Sequence, residues 1–260
     1  MKLFDSHCHL DDRAYDDDFR EVVARMNSAG VAAAMIVGTT LPRCIKAVSL
    51  AESFPGLYAS VGIHPHDAKS CDEQTLTTLK TLSKNLRVHA WGEIGLDFNR
   101  MFSPSETQEK WLIRQLEVAD EQNLPVIFHE RDSNGRLIKI LKTYFNNVKS
   151  GVIHCFSGNK TELKQYLDLG LYIGITGIVT IKKRGADLRK LVPFIPVDRI
   201  LIETDAPYLI PAPEKNHTRR NEPAFVRSVL LKLAMIREQD PEDLSRIIWD
   251  NTCRLYGTET

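Results

Sequence analysis

Two histidines that share one face of a predicted strand are the first candidates for chemistry. His7 and His9 stand two residues apart, at the end of the apolar run that begins at Leu3. The run predicts a β-strand, in which side chains at i and i+2 point to the same side. Both imidazoles could therefore bind one divalent ion. Because histidines are often only half-buried polar residues, this interpretation depends on the rest of the chain.

Further potential ligands follow other predicted strands. These are His64, Glu93, His129, His154 and Asp205. In a closed barrel of parallel strands, the carboxyl ends of all strands open on one mouth, where the active site lies. Structural histidines have no reason to recur at that end of each strand. The pattern therefore predicts a metal centre at the mouth.

The number of potential ligands predicts two metal ions. Without His64, four imidazoles and two carboxylates still exceed what one ion in an open catalytic site binds. One ion would bind His7, His9, Glu93 and Asp205, and the other Glu93, His129 and His154, with Glu93 as the bridge. The ions would lower the pKa of a bound water, and Asp205 would accept its proton as a general base. The imidazole-rich set suits Zn, Mn, Co or Ni better than Mg.

Helical and strand periods alternate along the whole chain. The predicted strands are Phe4–His7, Val31–Val37, Leu57–Ile63, Val88–Ile94, Pro125–His129, Val152–Phe156, Leu171–Thr176 and Arg199–Asp205, each followed by a helix. One more helix follows Asp240-Pro241. We predict an α/β fold, a single-domain TIM (β/α)8 barrel over residues 1–260 with an extra C-terminal helix. An open doubly wound sheet is the alternative, but no Gly-x-Gly-x-x-Gly motif follows the first strand.

The composition excludes several classes of protein. Lys and Arg total 34, as do Asp and Glu, so no global basic field is available to bind nucleic acid. The five cysteines form no CxxC pair, which indicates a reduced, cytoplasmic protein. No signal peptide and no membrane-spanning run is evident, so we expect no membrane association.

A few residues near the predicted mouth could contact a substrate. His64 precedes a proline at a strand end and could contact a phosphate or a leaving group, which gives it a catalytic role. Arg131 could bind a phosphate through two N–H groups of its guanidinium or could form a salt bridge. The basic segment Lys182-Lys183-Arg184 and Arg220 could contact a nucleic-acid backbone, or could simply be solvated surface. Glu203, which shares a face of the last predicted strand with Asp205, is interpreted as a carboxylate that supports a ligand or as a structural acid. His66 could reach the same rim or lie in a solvated loop, and Glu130 receives no role.

Seven motifs, in this order along the chain, resemble those of the TatD family of metal-dependent deoxyribonucleases. They are Ser6–Asp11, Val61–His66, Gly92–Asp97, His129–Asp132, His154–Gly158, Glu203–Tyr208 and Arg220–Pro223. The resemblance implies a barrel, a two-metal site with the ligands above and hydrolysis of phosphodiester bonds. It also implies an activity that is often exonucleolytic on single-stranded DNA and that Mg²⁺ supports. RNA is a possible second substrate, and no obligate protein partner is evident.

Two other functions remain open at this point. The same ligands would serve a hydrolase of carboxylic esters, amides or lactones, because a metal-activated water attacks carbon as well as phosphorus. A non-catalytic metal-binding protein would be expected to lack some ligands. The local basic residues and the family motifs favour the nuclease.

Overall fold

The computed structural model describes residues 1–145 and 150–258. Its strands are β1 (Leu3–Cys8), β2 (Val31–Val37), β3 (Leu57–Val61), β4 (Val88–Asp97), β5 (Val126–Arg131), β6 (Gly151–Ile153), β7 (Tyr172–Ile175) and β8 (Ile200–Ile202). Its α-helices are α1 (Phe19–Ser28), α2 (Leu41–Ser53), α3 (Glu73–Leu82), α4 (Ser105–Glu121), α5 (Arg136–Tyr144), α6 (Lys160–Asp168), α7 (Ala186–Leu191), α8 (Ala212–Lys215), α9 (Val226–Arg237) and α10 (Pro241–Tyr256).

The strands form one eight-stranded sheet in sequence order. The pairs β1–β2, β3–β4, β4–β5, β5–β6 and β7–β8 are parallel. Parallel neighbours require a crossover between them, and helices supply it. β8 also contacts β1. Just after β8, the N–H of Asp205 donates to the carbonyl of His7 on β1 at 2.9 Å. The predicted (β/α)8 barrel, with α10 as an additional C-terminal helix, is confirmed.

The described residues fall into two compact units. The first unit comprises Met1–Ile36, Cys155–Lys160 and Ile173–Thr260, and it contains β1, β8 and most of β2 and β7. The second comprises Val37–His154 and Thr161–Tyr172, and it contains β3 to β6. The expectation of a single domain stays a prediction.

Each unit has its own apolar core. In the first, the ring of Phe4 on β1 packs against Trp249 and Tyr256 of α10, with centroids 5.7 and 6.0 Å apart. In the second, Trp91 on β4 is fully buried, and its indole N–H donates to Gln115 of α4 at 3.3 Å. No helix in the described part of the chain has the length and apolar character needed to cross a membrane.

Two strands end earlier than their apolar patterns predict. β6 ends at Ile153 and β8 at Ile202, whereas the sequence predicts that these strands end at Phe156 and Asp205. Cys155 and Asp205 have positive φ angles of 46° and 56°, which extended strands do not allow. Placing Glu203 and Asp205 on one strand face was therefore wrong. Asp205 and His154 lie in the loops that directly follow these strands.

Candidate metal centre

Three ligand atoms converge in the first unit. Nε2 of His7 and Nε2 of His9 are 3.3 Å apart. Oδ1 of Asp205 lies 3.7 Å from the first and 3.4 Å from the second. Ligand atoms placed about 2.0–2.1 Å from a tetrahedral ion stand roughly 3.3 Å from one another. The spacing of these three atoms therefore fits shared binding of one cation.

A buried carboxyl group holds the two segments that carry these ligands. Oδ1 of Asp5 accepts the N–H of Thr204 at 2.8 Å and that of His7 at 3.4 Å, and Oδ2 accepts the Thr204 hydroxyl at 2.5 Å. Asn221 donates to the carbonyl of Thr204 at 3.0 Å. Burial raises the pKa of Asp5 to about 8, against the effect of these hydrogen bonds. Asp5 and Asn221 thus position His7 and the segment before Asp205, although the sequence assigned neither a role.

A second group of potential ligands lies in the second unit, at the ends of β3, β4 and β5. Nδ1 of His129 on β5 lies 2.7 Å from Oε1 of Glu93 on β4. Nε2 of His64, which follows β3, lies 3.5 Å from the same oxygen. The backbone N–H of His66 donates to Nδ1 of His64 at 3.0 Å. Nε2 of His64 must then carry the proton and can donate it.

The charge states in this group follow from burial and from hydrogen bonds. Burial lowers the pKa of His64 to about 4, so its ring is neutral at pH 7. Burial alone would raise the pKa of Glu93, but the imidazoles of His64, His154 and His129 bring it well below its usual range. Burial opposes protonation of His129 as well, yet bonds to Asp97 and Glu93 raise its pKa to about 9. Binding of a cation by His129 would therefore release a proton.

Asp97 is a carboxylate of this group that the sequence did not single out. β4 continues to this residue, beyond the predicted end at Ile94. Its Oδ2 lies 2.6 Å from Nε2 of His66 and 3.3 Å from Nε2 of His129. Burial would raise the pKa of Asp97, but hydrogen bonds from His129, the Arg100 N–H and His66 bring it below its usual range. The only signal in the sequence was its place in the motif Gly92–Asp97.

Glu203 supports the loop that follows β6. Its Oε1 accepts the backbone N–H of Cys155 at 2.6 Å, and its side chain is buried. Cys155 directly follows His154, whose own N–H donates to the carbonyl of Phe128 at 2.9 Å. The interpretation of Glu203 as a residue that supports a ligand agrees with this bond. Glu130 instead accepts the N–H and the hydroxyl of Ser133 and begins the turn into α5.

The donor atoms fit divalent metals. Candidate metal-binding groups draw on His7, His9 and Asp205 in the first unit, and on His64, His66, Glu93, His129 and His154 in the second. Imidazole and carboxylate donors together suit Zn, Mn, Co and Ni. All six sequence-predicted metal ligands are among these residues, and His64 and His66 are additions to them.

The basic residues predicted to contact the substrate differ in whether their side chains are exposed or already paired within the protein. Lys182, Lys183 and Arg184 are exposed, and among the described residues no carboxylate pairs with any of them. Arg189 fixes this segment by donating to the carbonyls of Val179, Ile181 and Lys182. Arg131 is likewise exposed at the end of β5.

Arg220 is already engaged within the protein. Its guanidinium binds both carboxylate oxygens of Asp18, at 2.7 and 2.6 Å, and lies over the ring of Tyr15 at 4.7 Å. A bidentate pair of this kind occupies the donors that a phosphate would need. Arg220 therefore has a structural role in this conformation, and its contact with a substrate stays a prediction.

Comparison with known proteins supports a family relationship. The model of the family "TatD related DNase" matches residues 4–257. A protein of Rahnella sp. (strain Y9602) named 3'-5' ssDNA/RNA exonuclease TatD is 40% identical over 258 residues, covering 98% of each chain. A protein of the same name from Klebsiella pneumoniae (strain 342) is 39% identical, covering 99% of this chain and 98% of that one.

Solved structures show the same fold. The crystal structure of YJJV, a TatD homologue from Escherichia coli K12, matches with a TM-score of 0.91 and 29% identity, covering 99% of this chain and 98% of that chain. A hydrolase of the TatD family from Entamoeba histolytica matches with a TM-score of 0.87 and 26% identity, covering 98% of both. The barrel is thus shared over essentially the whole length of each protein.

Proposed function

Because the chain belongs to the family of TatD-related DNases, we propose that it is a divalent-metal-dependent 3'-5' exonuclease acting on single-stranded DNA and RNA. The observation that carries this proposal is the convergence of Nε2 of His7, Nε2 of His9 and Oδ1 of Asp205 within 3.7 Å. Relatives named for this activity are about 40% identical over almost the whole chain. We also propose the cytoplasm as its compartment, since all five cysteines are free.

The proposed enzyme uses two divalent ions. His7, His9, Glu93 and Asp205 would hold one, and Glu93, His129 and His154 the other. Zn, Mn, Co, Ni or Mg are the candidate metals. When bound, such ions polarise a phosphoryl oxygen and make water acidic enough to attack at neutral pH.

The protein's own side chains have distinct roles in this proposal. Asp205, half-buried between two imidazoles, is the base that accepts the proton of the attacking water. His64 donates one hydrogen bond through Nε2 to an oxygen of the phosphate or of the leaving group. A neutral ring performs that role without adding charge. Glu93 is kept as an anion by its three imidazole neighbours, and is therefore ready to bind cations.

Substrate binding would depend on a few cations. Lys182, Lys183, Arg184 and Arg131 are exposed and available for the backbone of one strand. With 34 basic and 34 acidic residues, the chain has no net positive charge to add to them. The proposed enzyme therefore contacts few phosphates at a time, as suits removal of nucleotides from one end.

The polarity and the metal requirement can be tested in one assay. Purified protein is incubated with an oligonucleotide labelled at its 5' end, at its 3' end, or circularised. We expect a ladder from the first, early release of labelled mononucleotide from the second and no cleavage of the circle. Chelator should stop the reaction, and Mn²⁺ or Mg²⁺ should restore it.

Two outcomes would contradict the proposal. Cleavage of the circle at the same rate would show an endonuclease. Absence of cleavage with Mg²⁺, Mn²⁺ and Zn²⁺, together with turnover of an ester, amide or lactone, would favour the small-molecule hydrolase.

A further inference from the structure

One carboxylate oxygen of Asp97 contacts two histidines, and the other accepts hydrogen bonds from the backbone. Oδ1 accepts the N–H groups of Asn99 and Arg100, at 3.0 and 2.7 Å. Oδ2 faces Nε2 of His66 at 2.6 Å and Nε2 of His129 at 3.3 Å. The carboxylate is 1% exposed, so these four donors determine its orientation. Backbone N–H groups cannot become acceptors, so the two sides of the carboxylate cannot exchange roles.

The backbone of Asp97 is held as firmly as its side chain. Gln108 of α4 accepts the N–H of Asp97 at 2.8 Å through Oε1 and donates to its carbonyl at 3.1 Å through Nε2. Gln108 is itself 1% exposed. The backbone position of Asp97 is thus set by the packing of α4 against β4.

We infer that Asp97 is a positioning residue that holds His129 with Nε2 protonated and Nδ1 directed to the metal. The inference rests on the proposed function, in which His129 binds a cation beside Glu93. Nδ1 of His129 lies 2.7 Å from Oε1 of Glu93, on the opposite edge of the ring from Asp97. A carboxylate that accepts the second N–H of a metal-binding histidine fixes its tautomer and orientation and strengthens it as a ligand.

The change Asp97→Asn reverses this arrangement with almost no change in shape. The amide oxygen must stay toward the N–H groups of Asn99 and Arg100, so the NH₂ group turns toward His66 and His129. Nε2 of His129 then has to accept, so the neutral ring has its single proton on Nδ1, where Glu93 accepts it. A protonated Nδ1 cannot bind a metal ion.

The experiment measures Zn²⁺ binding by competition with a chelator, together with ¹⁵N spectra of the histidine rings. In Asp97→Asn we expect one Zn²⁺ site to weaken by about 10–100-fold. In the metal-free variant, Nε2 of His129 should have the shift of an unprotonated nitrogen, whereas in the unchanged protein it should be protonated. Wild-type Zn²⁺ affinity in the variant, or a protonated Nε2, would overturn the inference.

Two variants serve as controls. Glu130→Gln changes a partly buried carboxylate that follows His129 in the chain and accepts hydrogen bonds from Ser133. This variant should leave Zn²⁺ binding unchanged. His66→Ala removes the other imidazole on Asp97, and it should weaken Zn²⁺ binding less than Asp97→Asn does, because His129 keeps its bond to Asp97. A loss in His66→Ala equal to that in Asp97→Asn would overturn the inference, because His66 would then be the partner that matters.

A measurement on the unchanged protein covers the case in which Asp97→Asn does not fold. In the Zn²⁺-loaded protein, the His129 signal must show a proton on Nε2. A proton on Nδ1 with Nε2 bound to metal would contradict the inference.

His129→Ala separates the inference from the function on which it rests. If His129→Ala keeps both Zn²⁺ ions, the proposed ligand set is wrong. If it loses one ion while Asp97→Asn loses none, only the role of Asp97 is wrong.

Discussion

The carboxylate of Glu203 occupies the space where a side chain at position 174 would lie. A Cβ added to Gly174 would stand 2.5 Å from Oε2 and 2.7 Å from Cδ of Glu203. The absence of a side chain on β7 thus allows Glu203 to reach the N–H of Cys155, directly after His154. Support for this loop depends on a glycine that carries no chemistry of its own.

We expect Gly174→Ala to lower the free energy of unfolding by about 1–3 kcal/mol, because a buried carboxylate would have to move. Denaturant unfolding of the metal-free protein measures this change. The double variant Gly174→Ala/Glu203→Ala should lose less than the sum of the single changes, since the clash is gone. A loss below about 0.5 kcal/mol in Gly174→Ala would contradict the close packing.

Replacement of ligands should separate the two proposed metal ions. His7→Ala together with His9→Ala should remove about one metal equivalent and leave the other in place. Glu93→Ala should weaken both sites and abolish hydrolysis, because it removes the bridge. Elemental analysis beside single-turnover cleavage tests both. Two tightly held metals and a near-normal rate in Glu93→Ala would rule out the bridging role.

Asp205→Asn should affect rate more than metal content. Asparagine keeps the shape and one oxygen ligand, but it cannot accept the proton from the attacking water. We expect about a 100-fold or larger fall in the single-turnover rate, with most of the metal retained. Metal loss that fully accounts for the lost activity would show that Asp205 is a ligand and not a base.

The dependence of binding on salt should be shallow. Each phosphate contact on a single strand contributes about −0.7 to the slope of log affinity against log salt. The exposed Lys182, Lys183 and Arg184, with Arg131, predict a slope of about −2 to −3. Changing the three basic residues of this segment to Ala should reduce its magnitude by about 2 in a fluorescence-anisotropy titration. A slope near −10 would reveal a basic surface elsewhere.

Asp18 should make stability depend on pH in the acid range. Hydrogen bonds from Arg220 lower the pKa of Asp18 to about 2; burial opposes this shift, and a hydrogen bond from Arg25 supports it. The unfolded chain binds a proton at about pH 3.9, so this stabilisation is complete above that pH and is lost as the pH falls toward 2. Urea unfolding at several acid pH values should show a smaller loss in Asp18→Asn than in the unchanged protein. Equal losses would indicate that the pair with Arg220 does not persist in solution.

The local pattern of the chain determined the order of strands and helices and indicated the candidate metal ligands. The uninterrupted apolar run of β2 was predicted with the bounds Val31 and Val37 that the structure has. Such runs bury both faces of a strand, and this signal lies within the segment itself. The candidate ligands were recognised because they lie at the ends of such runs, and because parallel strands end on the same side.

Only the tertiary structure decided which other residues hold those ligands. Asp5 acts on Thr204, which is 199 residues away, and Asp97 acts on His129, 32 residues away. Neither residue differs from an ordinary acid in its local sequence. Their roles arise from burial and from hydrogen-bond donors that the folded chain brings close to them. The spacing of apolar residues along the sequence does not indicate such distant partners. The early ends of β6 and β8 have the same origin, because the positive φ angles of Cys155 and Asp205 accompany hydrogen bonds from their own N–H groups to Glu203 and to the carbonyl of His7.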